Sequence, residues 1–350
     1  MRNTGTRGYS GYRGRRPSGK KWLIVALVLI IFAAAAFLAM QQWMVYEMDG
    51  TYHFELPWAR QSGSRKTVLR RPGQKLEIVI EQPEAPPEEP LHAQELDVTA
   101  LVGDMSRALS ALPEAVNAVA IRLKSSDGDL LYPSTLPAAV ESHAVTGSSM
   151  VHSAIAEATA SERYTIARIS ALHDSRFSYA HMTDAAILQK AYKNNIWYAP
   201  DSSHYLAPEK ELAREYLVAI AAEIAAMDFD ELLFDDFSYP VNGRLDNIDE
   251  SARDMTKQEA LELLALNLRE AVSEYGTRLS VVMDEATVLA GGNDVSGQNL
   301  ATLASQFDRV YVPTVPQQIP ALQAALEPYA AELVPILAEP PAEGVYLISQ

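Results

Sequence analysis

Two adjacent aspartates, Asp235 and Asp236, stand at the end of an apolar segment within residues 229–240. In an extended strand side chains alternate between two faces, so Glu231 and Asp235 share one face and apolar residues occupy the other. Burying an unpaired carboxylate is costly. Asp235 is therefore expected to be either catalytic or held by hydrogen bonds and an arginine, whereas Asp236 points outward or into the following loop.

Further acids follow other apolar segments of the chain, namely Asp174, Asp284, Glu285 and Glu339. Carboxylates that converge on one opening suit glycoside hydrolysis, in which one acid protonates the leaving oxygen and another attacks the sugar or activates water. The same acids would also suit binding of a cation or of sugar hydroxyls. The predicted catalytic candidates are Asp235, Asp284, Glu285 and Asp236.

A second set of residues is predicted to bind the substrate, and it comprises Arg168, Asp174, Glu231 and Glu339. Arg168 could hold a carboxylate inside the fold, although a structural ion pair with Glu231 is an equal alternative. Trp197, Tyr198 and Tyr205 could stack on sugar rings, with ordinary packing as the alternative.

Several other chemistries lack the residues that they need. The chain has no cysteine, so a thiol nucleophile, a disulfide framework and a cysteine-ligated metal are excluded. The seven histidines show no zinc-ligand spacing, and neither a P-loop nor a dinucleotide fingerprint occurs. We therefore predict no cofactor and no metal. A formal net charge of -16 argues against nucleic acid as a partner.

The elements that must position these residues alternate between strands and helices after about residue 100. Strands are predicted at 116–123, 164–172, 230–236, 278–283, 309–313, 332–337 and 344–349, with an eighth near 139–145. Helices are predicted at 209–227 and 257–275, where apolar residues recur every three or four positions. This rhythm is typical of a (β/α)8 TIM barrel, in the α/β class. A doubly wound sheet is the alternative.

The N-terminal region has a different composition. Residues 1–21 carry seven basic residues and no acid, and residues 22–42 are almost wholly apolar. About twenty apolar residues span a bilayer, and the basic flank keeps the N-terminus cytoplasmic. The sequence thus predicts a basic cytoplasmic tail, a transmembrane signal anchor at 22–42 in the cell membrane, and an extracytoplasmic C-terminal domain. A cleaved signal peptide is the alternative.

Residues 43–98 are expected to form a stalk and a linker. The stretch 81–90 is rich in proline and glutamate, which favour an extended chain. The barrel domain is predicted to occupy residues 99–350.

The segment Asp228-Phe-Asp-Glu-Leu-Leu-Phe-Asp-Asp-Phe-Ser-Tyr-Pro240 resembles the hallmark strand G-F-D-E-I-x-F-D-Y-x-R-F-P of a family of TIM-barrel glycoside hydrolases known mostly from bacterial envelope proteins. Three further blocks are similar to family motifs in the same order: residues 117–128, 166–169 and 296–313. The resemblance spans roughly residues 100–350. It places the strand-end aspartate of the family on Asp235 and its strand-core acid on Glu231.

This resemblance implies a sugar-acting fold. Together with the acids at the strand ends, it predicts a glycoside hydrolase that acts on a polysaccharide or cell-wall glycan, with Asp235 as a catalytic residue and Asp284 or Glu285 as the second carboxylate. The chain departs from the family pattern at four positions: Asp236 and Ser238 replace a tyrosine and an arginine, Arg122 replaces an aspartate, and Thr314 replaces a methionine. These departures leave a second hypothesis open, a non-catalytic barrel that binds carbohydrate or organises the envelope.

Overall fold

The computed structural model describes residues 44–46, 52–54, 89–191 and 195–349. The chain divides into two units, residues 1–84 and 85–350. In the first unit, Met44–Tyr46 pairs antiparallel with Tyr52–Phe54. The predicted basic tail, the transmembrane segment and most of the predicted linker lie outside the described residues. Within the described ranges, no helix combines the length and the apolarity needed to cross a bilayer.

In the second unit, eight parallel strands close into a barrel whose strand order follows the chain. The strands are β1 (His92–Glu95), β2 (Ala118–Lys124), β3 (Tyr164–Ser170), β4 (Glu231–Asp235), β5 (Arg278–Val282), β6 (Arg309–Pro313), β7 (Glu332–Leu337) and β8 (Tyr346–Ile348). Pairing of β8 with β1 completes the ring. The predicted TIM-barrel fold is therefore confirmed, and the doubly wound alternative is excluded.

Helices occupy the connections between the strands of the barrel. They are α1 (Thr99–Val102), α2 (Met105–Ser110), α3 (Pro137–Glu141), α4 (Ser149–Thr159), α5 (Ser175–Ala180), α6 (Met182–Ala185), α7 (Glu211–Ala225), α8 (Lys257–Val272), α9 (Glu285–Ala290), α10 (Leu300–Gln306) and α11 (Ile319–Leu326). The two long helices lie where the apolar spacing predicts them. In α7, Tyr216, Ile220 and Ile224 form a buried stripe, and a Thr256–Glu259 capping box begins α8.

One predicted strand is wrong, and another strand was not predicted. The segment near 139–145 is not a barrel strand, because Pro137 begins helix α3 there with a φ that suits the first turn. The first barrel strand is instead β1, which lies in the stretch assigned by sequence to the linker. Its composition, His-Ala-Gln-Glu, carries almost no apolar signal.

The barrel interior is packed rather than hollow. A cluster of buried residues fills it, including Ala93, Ala118, Ala120, Ile166, Leu233 and Tyr311. Strands β2 and β6 face each other across an eight-stranded ring, so the small alanines of β2 make room for the large Tyr311 ring of β6. A larger apolar core lies between the strands and the helices. Polar side chains are thereby confined to the two ends of the barrel interior.

Candidate active site

Four charged side chains from β1 to β4 meet at the carboxyl end of the barrel. Arg168 binds Asp235 through two bonds, Nη2 to Oδ1 at 2.6 Å and Nε to Oδ2 at 3.0 Å. Arg122 donates to the same Oδ2 at 3.2 Å and to Glu95 Oε1 at 3.0 Å. Arg168 also contacts Glu95, whose carboxylate accepts from the Ser349 hydroxyl. We call Glu95, Arg122, Arg168 and Asp235 the mouth cluster.

The mouth cluster is largely desolvated. The side chains of Arg168 and Asp235 are 7% and 12% exposed, whereas Arg122 is 28% exposed. Burial disfavours the charged guanidinium, but the two neighbouring carboxylates outweigh it and raise the pKa of Arg168. Of the two alternatives for Arg168, the structure shows an ion pair with Asp235 and not with Glu231. Asp235 is thus held by arginines, one of the two outcomes expected from its position.

Asp236 lies beside the mouth cluster in a different environment. Its backbone has a φ of 52°, a left-handed conformation that aspartate tolerates better than most residues. Its Oδ2 accepts a hydrogen bond of 2.6 Å from the Ser170 hydroxyl at the end of β3. The residue is partly exposed, and none of the ion pairs between described residues includes it. Asp236 is therefore an accessible carboxylate with a hydroxyl partner.

An aromatic wall flanks Asp236. The Tyr205 ring stacks on His173 with centroids 4.5 Å apart, and Trp197 meets Tyr205 edge-on at 6.1 Å. Burial, followed by the charges of Asp236 and Asp201, raises the pKa of Tyr205 to about 12. Trp197 is buried and donates its indole N–H to the Arg244 carbonyl, so it packs rather than stacks on a ligand.

The acids after β5 lie at the rim. Asp284 is exposed and caps α9 by accepting from the Thr287 backbone N–H at 2.9 Å and from the Thr287 hydroxyl at 2.5 Å. Glu285 is partly exposed and accepts from the Thr314 hydroxyl, at the end of β6, at 2.5 Å. Both oxygens of Asp284 therefore serve the helix cap, while Glu285 joins the ends of two strands at the mouth.

Asp174 is fully buried beneath the rim and does not face the opening. Its carboxylate pairs with Lys124 at 2.9 Å and caps α5 through the Phe177 N–H at 2.8 Å. A Cβ at Gly128 would lie 2.1 Å from Asp174 Oδ1, so only glycine allows this close approach. Asp174, which the sequence assigns to substrate binding, contacts structural partners here.

Glu231 and Glu339 are the two remaining residues that the sequence assigns to substrate binding. Glu231 begins β4 at the opposite end of the barrel, where Arg309 binds it at 2.6 Å and the Tyr164 hydroxyl donates to it at 3.0 Å. It is completely buried. Glu339 is exposed in the connection after β7. The structure thus separates Glu231 from Arg168, the predicted substrate-binding residue at the mouth.

No group of three or more histidine, aspartate or glutamate side chains suited to a metal ion occurs among the described residues. The mouth instead offers carboxylates, guanidinium groups and hydroxyls. This donor set suits hydroxyl-rich ligands and acid–base chemistry.

The sequence profile of the family described as "Putative glycosyl hydrolase domain" matches residues 103–318, more than half of the chain. The chain belongs to this family. The matched region of this glycosyl hydrolase family begins just after α1, ends at the 3-10 turn Pro316–Gln318 and includes Arg122, Arg168, Asp235 and Asp236. None of the curated proteins matches the sequence.

Several solved structures align with part of this chain. The PgaB (BpsB) glycoside hydrolase domain from Bordetella bronchiseptica aligns with a TM-score of 0.50 and 17% identity over 71% of this chain and 83% of that domain. A hypothetical protein from Ruminiclostridium thermocellum ATCC 27405 aligns with a TM-score of 0.45 and 21% identity, over 54% of this chain and 96% of that one. A GH20 exo-β-N-acetylglucosaminidase from Vibrio harveyi aligns with a TM-score of 0.46 and 13% identity, over 71% of this chain and 41% of that one.

Two residues of the mouth of this glycosyl hydrolase domain, Glu95 and Ser170, are absent from the sequence-based candidates. Glu95 ends strand β1. Because the sequence does not predict this strand, it gives no signal for Glu95. Ser170 shares the face of Arg168 in β3, and that parity was the available signal for it. Arg122 was noticed only as a departure from the family pattern.

Proposed function

We propose that this chain is a glycoside hydrolase that cleaves a polysaccharide or cell-wall glycan at the barrel mouth, with Asp236 as the reacting carboxylate. The observation that carries the proposal is the contrast between two neighbouring acids. Asp235 is bound by two arginines, whereas Asp236 is partly exposed and has a serine hydroxyl as its partner. A carboxylate must be reachable by the scissile bond to protonate or attack it.

In this proposal Asp235 acts as a positioning residue and not as the reacting acid predicted from the sequence. Its two oxygens accept three charge-assisted hydrogen bonds from Arg168 and Arg122. Asp235 thereby fixes the position of the Arg122 guanidinium, and the Arg122 side chain is 28% exposed to solvent. Arg122 and Glu95 can then bind sugar hydroxyls as donor and acceptor.

Glu285 is the proposed second carboxylate, and Asp284 is the alternative. Strands β4 and β5 are neighbours, with Phe234 paired to Val281. Adjacent strands lie about 4.8 Å apart, and glycosidases hold their two carboxyl groups about 5–5.5 Å apart in retaining and about 6.5–9.5 Å apart in inverting enzymes, so we propose a pair carried by these neighbouring strands. Glu285 has a single hydroxyl partner, whereas both oxygens of Asp284 are committed to Thr287. Glu285 is therefore freer to act on a ligand.

The proposal also includes anchoring of the domain to the cell membrane. Its support is the sequence alone: the apolar segment 22–42 follows seven basic residues, which predicts a single span with the N-terminus in the cytoplasm. The barrel would then act outside the cytoplasm, where envelope glycans occur.

The test is a reducing-end release assay with the full-length protein in detergent, on peptidoglycan strands, chitohexaose and cellohexaose. Asp236→Asn should lower the turnover by about 10²–10⁴-fold. Asp228→Asn is the matched control, because Asp228 also has a left-handed φ, of 63°, and lies exposed before the other end of β4. The control should retain wild-type turnover.

One observation favours the second function, a barrel that binds glycan without cleaving it. Asp235, the acid that ends β4, forms ion pairs with two arginines. Binding of a glycan by the wild-type protein without any release of reducing ends would establish that function and overturn the hydrolase proposal.

A further inference from the structure

A cavity of about 660 Å³ opens beside the active site, between the turn that follows β2 and helix α5. Its volume lies within the range of about 300–1,000 Å³ that is usual for small-molecule sites. Among the side chains that line it are Asp127, Asp129, Glu141, Arg176 and Tyr179.

Tyr179 gives this cavity an aromatic surface. The residue is 56% exposed, although large aromatic rings in soluble domains are usually mostly buried. Its ring is oriented by an edge contact with the His204 ring, with centroids 4.5 Å apart and planes at 78°. His204 itself is buried, with Nδ1 2.8 Å from the Trp197 carbonyl oxygen. The exposed Tyr179 ring thus packs against His204, whose own position is fixed.

The polar groups around Tyr179 combine donors and acceptors. Arg176 pairs with Asp129 at 2.9 Å, and both side chains remain partly exposed. Asp127 and Glu141 add exposed carboxylates. An aromatic face with flanking charged donors and acceptors suits a pyranose ring, whose faces are apolar and whose hydroxyls lie at the edge. The excess of carboxylates over guanidinium groups disfavours a sugar that bears a carboxylate or phosphate.

Hydrogen bonds join the segments that line the cavity to segments that carry residues of the active site. The Ser175 and Arg176 N–H groups donate to the Asp127 carbonyl at 3.0 and 3.1 Å. The Asp174 N–H donates to the His204 carbonyl at 3.0 Å. The segments that hold the cavity therefore also carry the stacked pair His173 and Tyr205 beside Asp236.

We propose that this cavity is a second sugar subsite, in which Tyr179 stacks on an uncharged pyranose unit of the chain whose scissile bond lies at Asp236. The inference builds on the proposed function. It implies that the protein binds a polymer over several units, since the subsite and the reacting carboxylate lie on different βα connections.

The test measures binding apart from cleavage. Calorimetric titrations use the full-length Asp236→Asn protein, with chitohexaose, cellohexaose and solubilised peptidoglycan strands as the probes. Adding Tyr179→Ala to this protein should raise the Kd for the bound probe about tenfold, whereas adding Tyr179→Trp should leave the Kd unchanged. Tyr275→Ala is the matched control, because Tyr275 is 42% exposed and follows α8 at the opposite end of the barrel.

An unchanged Kd in Tyr179→Ala, an equal loss in Tyr275→Ala, or binding of none of the three probes would overturn the subsite. An unchanged melting temperature in Tyr179→Ala shows that the loss does not come from unfolding. Failure of the proposed function is separate, because it would appear as wild-type protein that binds a probe through Tyr179 and releases no reducing ends.

Discussion

The two ends of the barrel interior hold ion clusters of similar composition and different exposure. At the mouth, Arg168 and Arg122 bind Asp235 and Glu95, and Arg122 remains 28% exposed. At the base, Arg309 binds Glu231, which has no exposed surface, and also Glu332. The Arg309 guanidinium lies 5.4 Å from the Tyr164 ring centroid. We call Glu231, Arg309 and Tyr164 the base cluster.

The difference shows how the same residue types serve two purposes. In the base cluster the acid is fully buried, and Arg309 and the Tyr164 hydroxyl bind one of its two oxygens. The mouth cluster lies beside an accessible carboxylate, Asp236, and presents an arginine to solvent. Breaking the base should therefore affect stability, while changing the mouth should affect activity.

The largest expected effect is on folding, from Arg309→Met. This change leaves Glu231 buried without its cation, which should lower the free energy of unfolding by about 3–5 kcal/mol. The control is Arg269→Met, because the Arg269–Asp308 pair has the same type of contact at 3.2 Å with side chains about 40% exposed. It should change stability by less than about 1 kcal/mol. Urea denaturation of both variants measures the difference, and equal losses would refute the contrast.

A smaller stability effect with a clear loss of activity is expected for Arg122→Met at the mouth. Loss of a charge-assisted donor, worth about 1.5–3 kcal/mol, should reduce kcat/KM by roughly 10–100-fold. The free energy of unfolding should fall by only about 1 kcal/mol, because the side chain is partly solvated. Kinetics and urea denaturation on the same preparation test both values. Unchanged kcat/KM would remove Arg122 from the site.

The smallest effect is a pH dependence that also distinguishes the two ends. Burial raises the pKa of Tyr205 at the mouth to about 12, and burial together with Glu231 raises that of Tyr311 at the base further, from an ordinary value of 10.0. Above pH 10 the unfolded chain loses protons that the fold retains, so stability should fall by about 1.4 kcal/mol per pH unit for each tyrosine. Below pH 10 both states are protonated and the tyrosines add no slope.

Urea denaturation across alkaline pH measures this slope. Tyr205→Phe should remove the contribution of one tyrosine to this slope only up to about pH 12, where the folded protein also loses that proton. Tyr311→Phe should remove a share over the whole alkaline range. Identical slopes in the two variants above about pH 12 would contradict the assigned difference between mouth and base.

Much of the fold follows from local pattern. Strand β4 alternates clearly and ends in acids, and α7 has a regular apolar stripe, so both could be predicted. Strand β1 could not, because its four residues are mostly polar and its pairing partners come from β2 and β8. Closure of the barrel makes that segment a strand, and this is a non-local effect.

The site was predictable in its residue types and less so in its assignments. Acids at the ends of parallel strands point to one mouth, which identified Asp235, Asp236 and Glu285. The division of roles depends on contacts between distant segments, since Arg122 and Asp235 are 113 residues apart. Sequence spacing cannot show which of two adjacent aspartates an arginine will bind. Nor does sequence spacing show that the backbone of Asp236 is left-handed, with a φ of 52°.

The most direct test of the central claim, that Asp236 performs the chemistry and Asp235 positions the arginines, is chemical rescue. Asp236→Ala and Asp235→Ala proteins are assayed on the cleaved glycan with and without added azide or formate, which can replace a missing reacting carboxylate. We predict that the anions restore turnover to Asp236→Ala and leave Asp235→Ala unchanged. Rescue of Asp235→Ala with no rescue of Asp236→Ala would contradict the account.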